Sequence, residues 1–139
     1  MANLDQITSG IIAHQCNCLG YMGAGVALAI RNRYPRAYEQ YKIYGHKTGN
    51  GTLQLGMVQL VQINPSLLVA NLMAQFSISR QQRMTDYDAL ATCIEKLPNN
   101  RVDVWFPFKM GCGNAGGDWA IVSKIIESKF PNPNYFYKS

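Results

Sequence analysis

The chain has 139 residues, 47% hydrophobic and 15% charged, with a net charge of +5 and a pI of about 9.1. That length is one domain by size, and the apolar content is enough for a packed core, which excludes a disordered chain. The longest apolar runs fall far short of the ~20 residues of a membrane-spanning helix; the start, MANLDQITSG, lacks a basic stretch followed by an apolar one, so no leader is expected and the expected compartment is the cytoplasm.

In chain order, residues 10–16 (GIIAHQC) read as a buried strand and residues 25–33 (GVALAIRNR) as a helix with an apolar first turn. Pro35 restarts a second helix, expected to stop at Gly45 by the C-terminal glycine preference. Residues 47–52 (KTGNGT) form a turn cluster. Two strands follow, LGMVQLVQI and SLLVANLMAQ, split by Asn64 and Pro65. The first is expected to carry Gln59 and Gln62 on its wetter side; the second is nearly all apolar, as in a strand covered on both faces. Residues 77–84 are polar and basic and read as a loop. Thr85 or Asp86 caps a helix through DYDALATCIEKL, VDVWFPF is a strand, Asp118 caps a helix through DWAIVSKIIESKF, and NYFYKS is a final strand.

Helices that alternate with apolar strands point to an α/β sandwich, a mixed sheet with helices on both faces. Ligands of such sheets bind beyond the carboxyl ends of the strands. Both glycine-rich segments, residues 20–25 and 111–117, follow a strand and precede a helix, so both are expected at the same rim. Glycine lets a ligand approach main-chain N–H groups, and a helix start adds a positive dipole end, so two such loops suit a diphosphate. Neither has the GxxxxGK[ST] pattern of the phosphate loop; GYMGAG is GxxGxG rather than GxGxxG, and no acidic residue follows at the distance a dinucleotide ribose requires.

The run His14-Gln15-Cys16-Asn17-Cys18 leaves other chemistries open. Zinc needs four ligands, which this run cannot supply without Cys112. A catalytic thiol needs a base and a depressed pKa, and the sequence assigns Cys112 no base. The four cysteines are expected as reduced thiols, with Cys16 and Cys18 on opposite faces. His14 is either a core histidine or an acid–base group. Arg31, Arg33, Arg36, Lys42 and Lys47 form a basic region that is either a solvated face or a polyanion contact.

HQCNCLGYMGAGVALAIRNRYP resembles the first ligand loop of macro domains, especially the branch of the yeast-type ADP-ribose 1''-phosphate phosphatase and the terminal ADP-ribose glutamate hydrolase. FPFKMGCGNAGGDW resembles the second loop of that branch, and the likeness runs through TDYDAL over essentially the whole chain. It implies one macro domain over residues 1–139, a three-layer α/β/α sandwich whose first strand is shortened. It also implies binding of ADP-ribose or ADP-ribose 1''-phosphate, without a metal or cofactor, and phosphatase activity on the latter.

By the same resemblance, Asn17 faces the distal ribose, and Met22, Gly23, Ala24, Gly25, Val26 and Ala27 wrap the diphosphate. Lys109, Met110, Gly111, Cys112, Gly113, Asn114 and Ala115 form the second wall. Asn3 and Leu4 stand near the adenine, with Tyr137 close to the base. His14 and Asn17 are the implied catalytic pair. Two departures bear on chemistry. Ala27 stands where the branch that frees acidic side chains has aspartate. The hydrolase lysine and its loop aspartate are matched by the Met73-Ala74-Gln75 region and Ala115, so the lysine-adduct route is not expected. A non-catalytic ADP-ribose reader, or a hydrolase acting on ADP-ribosylated protein or nucleic acid, are the alternatives.

Overall fold

A computed structural model describes residues 1–138. Six strands make one sheet: β1 (Ala2–Asn3), β2 (Gly10–Asn17), β3 (Val58–Asn64), β4 (Leu67–Gln75), β5 (Val104–Pro107) and β6 (Asn134–Tyr137). Four helices cover it: α1 (Gly25–Arg33), α2 (Pro35–Lys42), α3 (Tyr87–Lys96) and α4 (Trp119–Glu127). The strand order is β1-β6-β5-β2-β4-β3, antiparallel only between β3 and β4. β6, β5, β2 and β4 therefore run parallel side by side, and their carboxyl ends share one rim.

Ile11, Ala13, Leu72 and Phe106 pack against Leu90 and Ile94 of α3 and Val122 and Ile126 of α4. Ile12 and Val69 face the other way, against Ile30 of α1 and Ala37 of α2. Coverage on both sides explains why β2 and β4 read as unbroken apolar runs rather than alternating ones. Each such Leu, Ile or Val withdrawn from water contributes about 1.5–3 kcal/mol. No helix among the described residues is long and apolar enough to cross a membrane.

The expected order of elements is present, with three local differences. α2 ends at Lys42 rather than at Gly45, because Ile43 is its cap and the chain turns there to pass under the first glycine loop. Gln59 and Gln62 lie on opposite faces of β3, as residues three apart must: Gln62 is exposed, whereas Gln59 turns inward to Gln40 and Asn71. Cys16 and Cys18 join one buried cluster with Met22 and Tyr41, since residues two apart in an extended chain share a side. All four cysteines are free thiols. At the sheet edge, β1 has two residues and pairs with β6. Ser139, the last residue of the expected final strand, lies outside the described residues.

His14 is buried on the α1–α2 side. Its Nε2 is 2.6 Å from Asn71 Oδ1, while Asn71 Nδ2 donates to Gln59 Oε1 and to the Ala37 carbonyl. Asn71 Oδ1 must then accept, so His14 Nε2 carries the proton. Burial, opposed by this hydrogen bond, lowers the His14 pKa from 6.5 to about 4.

Between those two values the unfolded chain takes up a proton that the folded chain refuses. Stability contributed at His14 is intact above pH 6.5 and is lost as the pH falls through the window, by about 3 kcal/mol at its lower end. Denaturant midpoints measured from pH 7 to pH 4 should fall less steeply in His14→Gln, which has no proton to gain. Equal slopes in the two proteins would contradict the buried neutral imidazole.

Candidate functional site

The two glycine loops meet. Residues 20–25 leave β2 and residues 109–115 leave β5, and both line one cleft of about 900 Å³ at the parallel rim. A third wall, not foreseen in the sequence, comes from the carboxyl end of β4: Gln75, Ile78, Ser79 and Arg80. Phe136, Tyr137 and Lys138 close the end beyond β6.

Asn17 builds the first loop. The β2–β4 register breaks between Cys16 and Asn17, where the chain leaves the strand. Asn17 Oδ1 accepts the N–H groups of Leu19, Gly20 and Tyr21 at 3.0, 3.0 and 3.2 Å, and its Nδ2 donates to the Tyr21 carbonyl at 2.8 Å. Tyr41, fully buried below, places its hydroxyl 2.5 Å from the Asn17 carbonyl oxygen. Most of the Asn17 amide is thus committed to the loop; the second Nδ2 hydrogen is what remains for a ligand. The turn cluster adds support, since His46 and Lys47 donate to the carbonyls of Cys18 and Leu19, both at 2.9 Å.

Beyond Tyr21 the backbone changes character. Among the described residues, the N–H groups of Met22, Gly23, Ala24, Gly25, Val26 and Ala27 have no acceptor; the first bond of α1 is Leu28 N–H to the Ala24 carbonyl. Ala24 caps the helix without a side-chain bond, and no acidic residue lies in its first turn. A helix start left open in this way presents free donors and a positive dipole end.

The second loop is anchored differently. Thr85 Oγ1 donates to the Gly111 carbonyl at 2.7 Å and accepts from Gln15 Nε2 at 2.9 Å. The Ala115 carbonyl accepts from Met84 and Thr85, so the wall after β4 and the wall after β5 are tied together. Lys109 takes a left-handed backbone, φ 61°, to start the turn. Gly113, Asn114 and Ala115 keep their N–H groups free among the described residues. The start of α4 does not contribute as the sequence implied. Asp118 Oδ1 accepts from Ala120 at 2.9 Å and plugs that helix, while Gly116 and Gly117 fall outside the lining.

The charges on the lining are all of one sign. Arg31, Arg80, Lys109 and Lys138 face the cleft, with no aspartate, glutamate or histidine among its lining residues. His14 does not line it; the imidazole lies within the sheet–helix layer. Asn3 and Leu4 do not line it either. Asn3 is exposed and in register with Tyr137, which does, and Leu4 is buried among core residues. All the other expected ligand residues are on its walls.

Thiol chemistry is disfavoured. Burial, then the Asp118 carboxylate, raises the Cys112 pKa; burial pushes Cys18 up to about 11 and holds Cys16 well above the ordinary range. Among the described residues no three His, Cys, Asp or Glu side chains are grouped to hold a metal ion.

Known proteins agree with this arrangement. The chain is 35% identical to the ADP-ribose 1''-phosphate phosphatase of Candida albicans over 141 positions, covering 90% of this chain and 84% of the relative. A solved Bacteroides thetaiotaomicron protein of unknown function superimposes with a TM-score of 0.80 at 29% identity, over 96% of this chain and 90% of that one. A macrodomain protein of Streptomyces coelicolor gives 0.73 at 28% identity, over 94% and 90%. No family model matches. The chain belongs to the macrodomain family. Within it, the chain is similar both to yeast-type ADP-ribose 1''-phosphate phosphatases and to DNA ADP-ribosyl glycohydrolases.

Two glycines separate fold from site. A Cβ on Gly23 would meet nothing within 4 Å, whereas one on Gly111, at φ 75°, would sit 2.7 Å from Gln15 Oε1. Gly23→Val should therefore leave thermal unfolding nearly unchanged while weakening ADP-ribose binding about tenfold or more. Gly111→Ala should cost about 1–3 kcal/mol of stability. Calorimetry and thermal melts read both; a Gly23 variant that melts early and binds normally would contradict the assignment.

Proposed function

We propose that the protein binds ADP-ribose through its diphosphate and hydrolyses ADP-ribose 1''-phosphate to ADP-ribose and phosphate. The observation that carries this reading is the run of six N–H groups without an acceptor at the open start of α1, beside a cleft with no carboxylate on its lining. A diphosphate matches it in charge and in acceptor geometry. Phe108 and Tyr137, with ring centroids 5.9 Å apart, give the β5–β6 end of the cleft a surface for a flat base. The named activity of the Candida albicans relative supports the substrate.

In the reaction a water oxygen bonds to phosphorus, the bond from phosphorus to the sugar oxygen breaks, and the electron pair leaves on that oxygen. The water's proton ends on the sugar hydroxyl or on phosphate. Main-chain N–H groups and the positive lining stabilise the charge on the phosphoryl oxygens. His14 supports the sheet below the site rather than touching the substrate. With no carboxylate or imidazole on the lining to serve as general base or to hold a metal ion, turnover is slow and metal-independent. The same absence favours the second reading, a reader that binds and releases ADP-ribose unchanged.

Purified protein incubated with ADP-ribose 1''-phosphate and a chelator should release inorganic phosphate at a rate proportional to enzyme. ADP-ribose should inhibit it competitively. Tight binding of ADP-ribose without any phosphate release would overturn the phosphatase and leave the reader.

A further inference from the structure

The cleft has two ends of different chemistry. Strand order fixes them: the rim runs from β6 through β5 and β2 to β4, about 14 Å at the usual strand spacing. The aromatic end lies at β6 and β5, and the open amides lie at its middle, after β2. The β4 end holds Gln75, Ser79 and Arg80, joined by Arg31 of α1 and Tyr38 of α2. Arg31 belongs there because it lies one helical turn beyond Ala27, on the same face of α1. Its guanidinium carbon stands 3.9 Å above the Tyr38 ring centroid, and α2 packs on β3 and β4.

A ligand whose base occupies the aromatic end and whose diphosphate takes the amides directs its distal ribose to the β4 end. The amides already meet the diphosphate, so two guanidinium groups there are surplus to it. Neither a sugar hydroxyl nor an uncharged ester on the sugar makes use of two such cations, whereas a phosphoryl group does. Each arginine offers paired donors matched to phosphate oxygens, and stacking on Tyr38 orients Arg31 before the ligand arrives.

We infer that Arg31 and Arg80 recognise a phosphoryl group carried on the distal ribose, and that this pair sets the preference for the phosphorylated sugar over ADP-ribose itself. This inference rests on the proposed ADP-ribose reading and deepens it. Arg80 approaches from the flank after β4 and Arg31 from the α1–α2 side, so the phosphoryl group is held from two walls.

Competition titrations with ADP-ribose and ADP-ribose 1''-phosphate test it on the wild type, Arg31→Gln, Arg80→Gln and, as a control, Arg36→Gln, an exposed residue off the lining. The wild type should favour the phosphorylated ligand by about tenfold or more, in line with charge-assisted bonds. Each cleft variant should lose several-fold of that preference with its ADP-ribose affinity kept within about twofold, and Arg36→Gln should match the wild type. Arg31→Lys should recover part of the preference. A preference unchanged in both cleft variants, or absent from a wild type that binds ADP-ribose, overturns the inference and leaves the proposed binding function standing. A wild type that binds neither ligand overturns that function and the inference with it.

Discussion

Six consecutive backbone N–H groups, from Met22 to Ala27, have no acceptor among the described residues, and the rest of the site is arranged around that fact. An unpaired donor is costly when buried and useful when it opens onto a cleft that a ligand fills. Two other helix starts are closed by side chains: Asp86 accepts from Ala89 at the head of α3, and Asp118 from Ala120 at the head of α4. The start of α1 has alanine at its cap and glycine at its first position. The sequence thus leaves open the one helix that points into the space between the two glycine loops.

Keeping such a loop in place without closing it is the second requirement. Asn17 and Tyr41 hold its first half, through three N–H groups and a buried hydroxyl, and stop short of Met22. Met22 itself is buried in the cluster with Tyr41 and Cys18, which anchors the loop from below. On the other wall Thr85 and Gln15 secure Gly111, leaving Gly113, Asn114 and Ala115 unengaged. The side chains near the cleft that carry strong hydrogen bonds thus position backbone. Chemistry is left to the amides and the arginines, which suits charge stabilisation better than proton transfer.

Much of this was legible in the sequence, for definite reasons. Parallel strands followed by glycine loops must share a rim, so the meeting of residues 20–25 with 111–117 followed from connectivity. The caps at Asp86 and Asp118 followed from residue type and position. The wall after β4 was not legible, because residues 77–84 have no pattern beyond polarity and their place depends on the Ala115 carbonyl in another segment. Arg31 was visible as one charge in a basic helix; its spacing of four from Ala27 was the signal that separates it from Arg33. His14 could be placed on a strand but not assigned to cleft or core, since the face of β2 it shares with Ile12 and Cys16 is defined by α1 and α2.

The most direct test is an amide NMR titration with ADP-ribose, using adenosine as the comparison. Large shifts are expected for the N–H groups of Gly23, Gly25 and Val26 with ADP-ribose, as they acquire acceptors, and little movement there with adenosine at saturation. If those three amides stay in place while ADP-ribose saturates the protein, the main-chain diphosphate cradle is wrong.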